Sequence, residues 1–255
     1  MIKIVDAYLN FGSTHALANV NLTIDAGEQI ALIGPSGSGK SSLLKVLATE
    51  HSLNQGEYVY DDTTPANLPA RKLQQFRSNI AYIPQDLALI PNLKVSQNVL
   101  LGKIGKSHLP ATLKDLIFPA AHKIKSVHSI LDEVGIKEKI FHRTDSLSGG
   151  QQQRVAIARA LYQQASSILA DEPVSAVDPS RAHSLLSCLT TLSKKHKLTL
   201  ISSLHNLDYA REFFPRLIGM RAGRIVFDGS PDDFSDDEFR KLYKLSSSHT
   251  SDTIE

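Results

Sequence analysis

Two short stretches of this 255-residue chain place glycine and serine at the opening of a helical pattern, where free backbone N–H groups attract an anion. The first, GPSGSGKS at 34–41, fits G-x-x-x-x-G-K-[ST] between an apolar run and a helical spacing. Gly34, Gly37 and Gly39 let successive N–H groups turn onto phosphate oxygens, and Pro35, Ser36, Ser38 and Ser42 complete the cradle. Lys40 reaches β- and γ-phosphates, and Ser41 offers a hydroxyl to Mg²⁺. By itself the loop implies a nucleoside triphosphate and leaves kinase, GTPase and ATPase chemistry open. The second stretch, LSGGQ at 147–151, opens an apolar helix anchored by Val155, Ile157 and Leu161. Its Ser148, Gly149, Gly150 and Gln151 again call for an anion, although one nucleotide needs only one such cradle.

The acidic chemistry lies in SILADEP, 167–173, an apolar strand ending in two carboxylates. An acid at the tip of a buried parallel strand faces the metal shell, so Asp171 is assigned to Mg²⁺ through water. Glu172 then polarises the attacking water, a general-base role worth ~10²- to 10⁴-fold in rate. Gln85 ends IAYIPQ and has an amide suited to Mg²⁺ or the attacking water; the plain alternative is a surface glutamine. His205 ends LTLISSLH within reach of a γ-phosphate, or else is a structural histidine.

These residues need a scaffold of buried strands with their C-terminal ends together. QIALI before Gly34, IAYIP at 80–84, SILA at 167–170 and LTLIS at 198–202 are near-continuous apolar runs separated by helical spacings. That order predicts an α/β fold with a mainly parallel sheet covered on both faces. Ile2 and Ile4, and Leu22 and Ile24, alternate with polar residues as paired strands, and 217–220 with 224–227 around Ala222-Gly223 form a hairpin. Between Gln85 and Asp145, Val95 and Val99, then Val127, Ile130, Leu131 and Val134, recur at helical spacing, which predicts an inserted helical subdomain. The residues from 246 to 255 are polar and predict no packed structure.

Composition narrows the function. With 28 basic and 26 acidic residues the chain has no bulk charge to draw nucleic acid or lipid. One cysteine, Cys188, excludes an internal disulfide and reads as a small buried hydrophobe. No apolar run approaches the ~18 residues of a membrane span, and MIKIVDAYL alternates like a strand and lacks the layout of a signal peptide. Any service to a membrane would come from its side.

Taken together, the motifs resemble the ATP-binding cassette ATPases over residues 1 to about 230, in the family's order. These are the phosphate loop at 34–41, Gln85, LSGGQ at 147–151, the acidic strand end, SAVD at 175–178 and His205. The resemblance implies a RecA-like P-loop core with an antiparallel β-subdomain and an inserted α-helical subdomain. It implies one cassette over 1–245, with core at 1–85 and 146–230 and helices at about 86–145. It also implies a head-to-tail dimer of two copies, each ATP lying between the phosphate loop of one and LSGGQ of the other, with Asp178 beside it. Phe11 falls where the family places an adenine-stacking aromatic, more often Tyr; a core aromatic is the alternative. Ser167 and SAVD depart from the usual text without touching the chemistry.

One cassette without a membrane span resembles a separate ATPase subunit of an importer, bound through permease subunits at the cytoplasmic face of the inner membrane and served indirectly by a solute-binding protein. NVLLGKIG at 98–105, LKDLIFPA at 113–120 and LIGMRAGRIVFDG at 217–229 are similar to phosphonate-import ATP-binding subunits. Phosphonate or a related phosphorus oxyanion is therefore the expected solute, with polar amino acid import and lipoprotein release as alternatives. Rival readings are a soluble ATPase acting on DNA or ribosomes, which predicts a basic stripe, and a module that holds ATP without cleaving it, against which Glu172 and His205 argue.

Overall fold

Alternation of apolar and polar residues sets the first sheet. In the computed structural model, which describes residues 1–106, 114–175 and 177–243, strand β1 (Ile2–Phe11) buries Ile2, Ile4, Ala7 and Leu9. It pairs antiparallel with β2 (Thr14–Ile24), Ile2 opposite Ile24 and Ile4 opposite Leu22, and on its other edge with β4 (Gln55–Tyr60). The order in this sheet is β2-β1-β4. The expected polar stretch 246–255 lies outside the described residues, as does Ala176 of SAVD.

The second sheet holds β3 (Gln29–Ile33), β5 (Ile80–Ile83), β6 (Ser167–Asp171), β7 (Thr199–Ser203), β8 (Arg216–Arg221) and β9 (Arg224–Gly229), in the order β5-β6-β7-β3-β8-β9. From β5 to β8 the pairs are parallel, and β9 returns antiparallel. Alternate residues serve opposite faces: Ile30 and Leu32 join one core with the first sheet, Ala31 and Ile33 join the other. Burial on both sides explains why β6 and β7 contain no exposed residue and why their sequences run apolar without alternation. Because β3, β5, β6 and β7 run in one direction, Gly34, Gln85, Glu172 and His205 all leave the same edge.

Helix α1 (Lys40–Leu47) follows β3 and sends Leu43, Leu44 and Leu47 into the core shared with the first sheet. After α2 (Ala70–Arg77) and β5, residues 86–145 hold α3 (Val95–Leu100) and α4 (Ala121–Glu133), with no strand among the described residues there. Val95, Val99, Val127, Leu131 and Val134 are buried against α5 (Gly149–Gln163). The fully buried Asn98 ties this region to the start of α5: its Nδ2 donates to Thr144 Oγ1 at 2.8 Å and its Oδ1 accepts the Ile90 N–H at 2.9 Å. Helices α6 (Pro179–Lys195) and α7 (Leu207–Phe213) cross between strands, and α8 (Asp236–Tyr243) closes the described chain. No helix among the described residues is long and apolar enough to cross a membrane.

Candidate functional site

The turn from β3 into α1 can be built only from glycine at two points. Gly34 has φ +144, and a Cβ there would meet the Met220 carbonyl oxygen at 2.1 Å. Gly39 has φ +105, and its Cβ would lie 2.6 Å from the Ala16 carbonyl oxygen. The β8–β9 hairpin supports the loop from outside: Gly223 donates its N–H to Ser38 O at 3.0 Å and accepts from Ala18 N–H at 2.9 Å. Ser36 and Gly37 form the exposed crown, while Ser38 and Lys40 are buried and Pro35, Ser41 and Ser42 are half-buried. Lys40 Nζ donates to Gly34 O at 2.8 Å, Pro35 O at 3.1 Å and Ser38 Oγ at 3.5 Å. Burial lowers its pKa, and the Glu172 and Asp171 carboxylates pull it back up.

Asp171 closes β6 opposite Ser203, the last residue of β7. Its Oδ1 accepts from Ser41 Oγ at 2.9 Å and from Ser203 Oγ at 2.7 Å, and its Oδ2 accepts from the Tyr82 hydroxyl at 3.4 Å. Burial first, then the Asp171 charge, pushes the Tyr82 phenol above its ordinary pKa, so it stays a donor. Glu172 stands at φ +50, a left-handed conformation unusual for a residue with a side chain. Ser203 Oγ holds that turn by accepting the Glu172 N–H at 2.9 Å. The turn parts the two acids: Asp171 faces Ser41, and Glu172 pairs with His205 Nε2. Glu172 is 15% exposed and His205 43%, so the pair lies at the mouth of the site.

The structure therefore brings together Gly34 to Ser41, Asp171, Glu172 and His205. Gln85 is exposed in the turn after β5 and makes no hydrogen bond to Asp171, Glu172 or Ser41. Ser148 caps α5, with Gln151 Oε1 accepting its N–H at 3.1 Å, and Ser148 and Gly149 face solvent. A Cβ on Gly149 would meet nothing within 4 Å, and one on Gly150 only Arg181 Cδ at 3.7 Å. No hydrogen bond among the described residues joins this segment to the phosphate loop of the same chain. Asp178 caps α6, accepting the Arg181 N–H at 3.1 Å and pairing with Arg181 Nε at 3.1 Å. Phe11 is 48% exposed at the end of β1 and is not a core aromatic. Cys188 is half-buried against the core, and burial pushes its thiol pKa up.

The donor set fits Mg²⁺. Ser41 Oγ and Asp171 are hard oxygens, and no cluster of three or more His, Cys, Asp or Glu able to hold a metal occurs among the described residues. Magnesium takes one or two protein oxygens and keeps water and phosphate for the rest. Sequence reasoning missed Ser203 and Tyr82. The signal for Ser203 was a polar pair ending an otherwise apolar strand, two residues before His205.

A family model described as ABC transporter matches residues 17–175. A relative named phosphonates import ATP-binding protein PhnC 3, from Halalkalibacterium halodurans, is 40% identical over 90% of this chain and 88% of its own. One from Pseudomonas aeruginosa strain UCBPP-PA14, named phosphonates import ATP-binding protein PhnC 2, is 45% identical over 84% and 79%. Among solved structures, the ATP-binding cassette MJ0796, dimeric in a post-hydrolysis state with ADP and Pi, superposes with a TM-score of 0.75 at 31% identity, over 91% of this chain and 99% of that one. The cassette MJ1267 in its ADP conformation gives 0.81 at 26%, over 96% and 98%. The motifs, the geometry and these likenesses agree, and the chain belongs to the ABC transporter family of ATP-binding cassettes.

Proposed function

We propose that this chain is the ATP-hydrolysing subunit of an importer for phosphonate or a related phosphorus oxyanion, forming one cassette over 1–245 with a helical subdomain at about 86–145. The observation that carries the ATPase reading is the Ser41–Asp171–Ser203–Glu172–His205 chain of contacts at the mouth of the phosphate loop. Lys40 and the loop N–H groups hold the β- and γ-phosphates. Ser41, Asp171 through water, and Gln85 would hold Mg²⁺, which would supply positive charge to the phosphate oxygens. Glu172 takes a proton from the water that attacks the γ-phosphorus as the bond to the β-phosphate oxygen breaks, giving ADP and phosphate. His205 orients Glu172 and reaches the γ-phosphate.

Two copies act head to tail. The space at Gly149 and Gly150 supports this: no close contact in their own chain requires either glycine, and a γ-phosphate held by the other copy's Lys40 would fill the gap. Asp178 flanks the same junction, and Phe11 stacks on adenine. A cleft of about 550 Å³ lined by Tyr82, Ala88, Ile90, Leu101, Ile104 and Arg159 lies between the helical region and the core. Its exposed Ile90 and Ile104 suit a helix of a membrane permease, which would hold the chain at the cytoplasmic face of the inner membrane, with a solute-binding protein acting indirectly. The phosphonate assignment rests on the relatives at 40% and 45% identity and the matching text at 98–105 and 217–229.

Glu172→Gln tests the chemistry: ATP binding persists and turnover falls by ~10²- to 10⁴-fold. Ser148→Arg tests the shared site: each chain still binds ATP and hydrolysis is lost, whereas a site contained in one chain would keep its turnover. Growth of a deletion strain on phosphonate as sole phosphorus source tests the solute, and undiminished growth would refute it.

A further inference from the structure

The hairpin that joins β1 to β2 carries Phe11 at its tip, and three contacts tie that tip to the segment leaving α1. Asn54 Oδ1 accepts the Asn10 N–H at 2.6 Å, and the Asn54 N–H donates to Tyr8 O at 2.9 Å. The third contact is between side chains: the His51 ring meets the Phe11 ring at a centroid separation of 5.1 Å and an interplanar angle of 71°. Among the described residues neither ring packs on any other aromatic ring. His51 is half-buried and its N–H donates to Lys45 O at 3.3 Å, so it rides on α1, the helix that begins at Lys40 of the phosphate loop.

We propose that His51 is a positioning residue for the base end of the nucleotide site: it holds the Phe11 ring at a fixed tilt and distance from the phosphate loop, ready to take the adenine face. The proposal rests on the reading of Phe11 as the adenine-stacking side chain. An aromatic side chain on an exposed hairpin tip otherwise samples several rotamers and loses that freedom when a base stacks on it. A ring already held edge-on by His51 has lost it beforehand. Helix α1 spans eight residues, about 12 Å, and acts as a rigid strut: its first turn sets the phosphates and its far end sets the prop behind Phe11. Adenine and triphosphate are thus registered against one element. Nothing in this role uses the imidazole's protonation, so another flat ring should serve.

The test measures affinities of the full chain for ATP and for inorganic tripolyphosphate, both with Mg²⁺. His51→Ala is expected to weaken ATP by about two- to ten-fold, the span of one aromatic pair, and to leave tripolyphosphate unchanged. His51→Phe restores ATP affinity. On a Phe11→Ala background, His51→Ala has no further effect, because the two side chains act as one unit. Equal weakening of ATP and tripolyphosphate would mean a general packing defect and would overturn the proposal, as would failure of His51→Phe to restore binding. If Phe11→Ala lowers ATP affinity and His51→Ala does not, His51 has no positioning role. If Phe11→Ala itself leaves ATP affinity unchanged, the adenine reading of Phe11 falls and takes this inference with it.

Discussion

Ser203→Ala removes one oxygen that serves both acids of the site. Its hydroxyl donates to Asp171 Oδ1 at 2.7 Å and accepts the Glu172 N–H at 2.9 Å, and the residue is fully buried. The bond to a carboxylate contributes about 1.5–3 kcal/mol, and a stranded Glu172 N–H costs about 1–3 kcal/mol more. Because Glu172 stands at φ +50, the second loss also frees a strained turn to relax. With partial rescue by water, a stability loss of about 2–4 kcal/mol lowers Tm by roughly 5–12 °C for a chain of this size. Displacing both acids by the same contacts predicts a kcat reduced by about 10- to 100-fold, since each 1.36 kcal/mol is tenfold. KM for ATP should move by less than about threefold, because the loop and Lys40 keep their own bonds. The assay is steady-state ATPase beside thermal unfolding, with Ser202→Ala as control. Ser202 is equally buried, sits next door on β7 and has an Oγ with no partner, so its removal should leave kcat and Tm unchanged or raise Tm. If Ser202→Ala and Ser203→Ala behave alike, the argument from the shared hydroxyl is wrong.

Gly39→Ala forces a Cβ to within 2.6 Å of the Ala16 carbonyl at φ +105, so ATP binding measured by titration should be lost or reduced by more than tenfold, with a lower Tm. Gly149→Ala has open space and removes a glycine from a helix, so Tm stays or rises by the equivalent of at most about 1 kcal/mol while ATPase activity falls. Glu133, at the end of α4, is held below the usual carboxylate range: burial pushes it up, and hydrogen bonds from Lys195 and His196 on the far side outweigh that. A depressed native pKa contributes stability that is complete above the ordinary value near 4.5 and is lost as pH falls through the lower native value. Wild-type Tm should therefore drop more steeply below pH 4.5 than that of Glu133→Gln; parallel curves would remove this bridge from the account.

The elements most easily read were those whose constraints are local. β3, β6 and β7 are buried on both faces, so their apolar runs stand out, and the left-handed Ala222-Gly223 turn marks the hairpin. Asp171, Glu172 and His205 follow from strand ends because parallel strands deliver their C-termini to one edge. Ser203 and Tyr82 were missed because their importance comes from register. Ser203 matters only since β6 and β7 pair it with Asp171, and Tyr82 only since β5 lies beside β6. Nothing in the text IAYIPQ separates a core tyrosine from one that donates to the Asp171 carboxylate. The capping role of Asp178, by contrast, is local and open to the sequence: Asp before Pro-Ser-Arg is an ordinary helix start, and its nearest partner is Arg181 within the same turn.

The two glycine-rich helix starts are alike in sequence and opposite in cause. At 34–41 the chain's own atoms demand glycine: Met220 O and Ala16 O stand where side chains would go, and the left-handed φ values exclude other residues. At 149 and 150 the chain makes no such demand, since the backbone is helical and an added Cβ would meet nothing at Gly149 and only Arg181 Cδ at an ordinary 3.7 Å at Gly150. A glycine in a helix interior costs up to about 1 kcal/mol relative to alanine, and with no intrachain cause for this pair, the proposed approach of a ligand from outside accounts for it. The first-turn N–H groups of α5, which have no intrahelical partner, favour an anionic ligand, and in the proposed function that anion is the γ-phosphate on the first loop. Since no hydrogen bond among the described residues carries LSGGQ to that loop within one chain, the space at these glycines is what the proposed head-to-tail pairing with a second copy would fill.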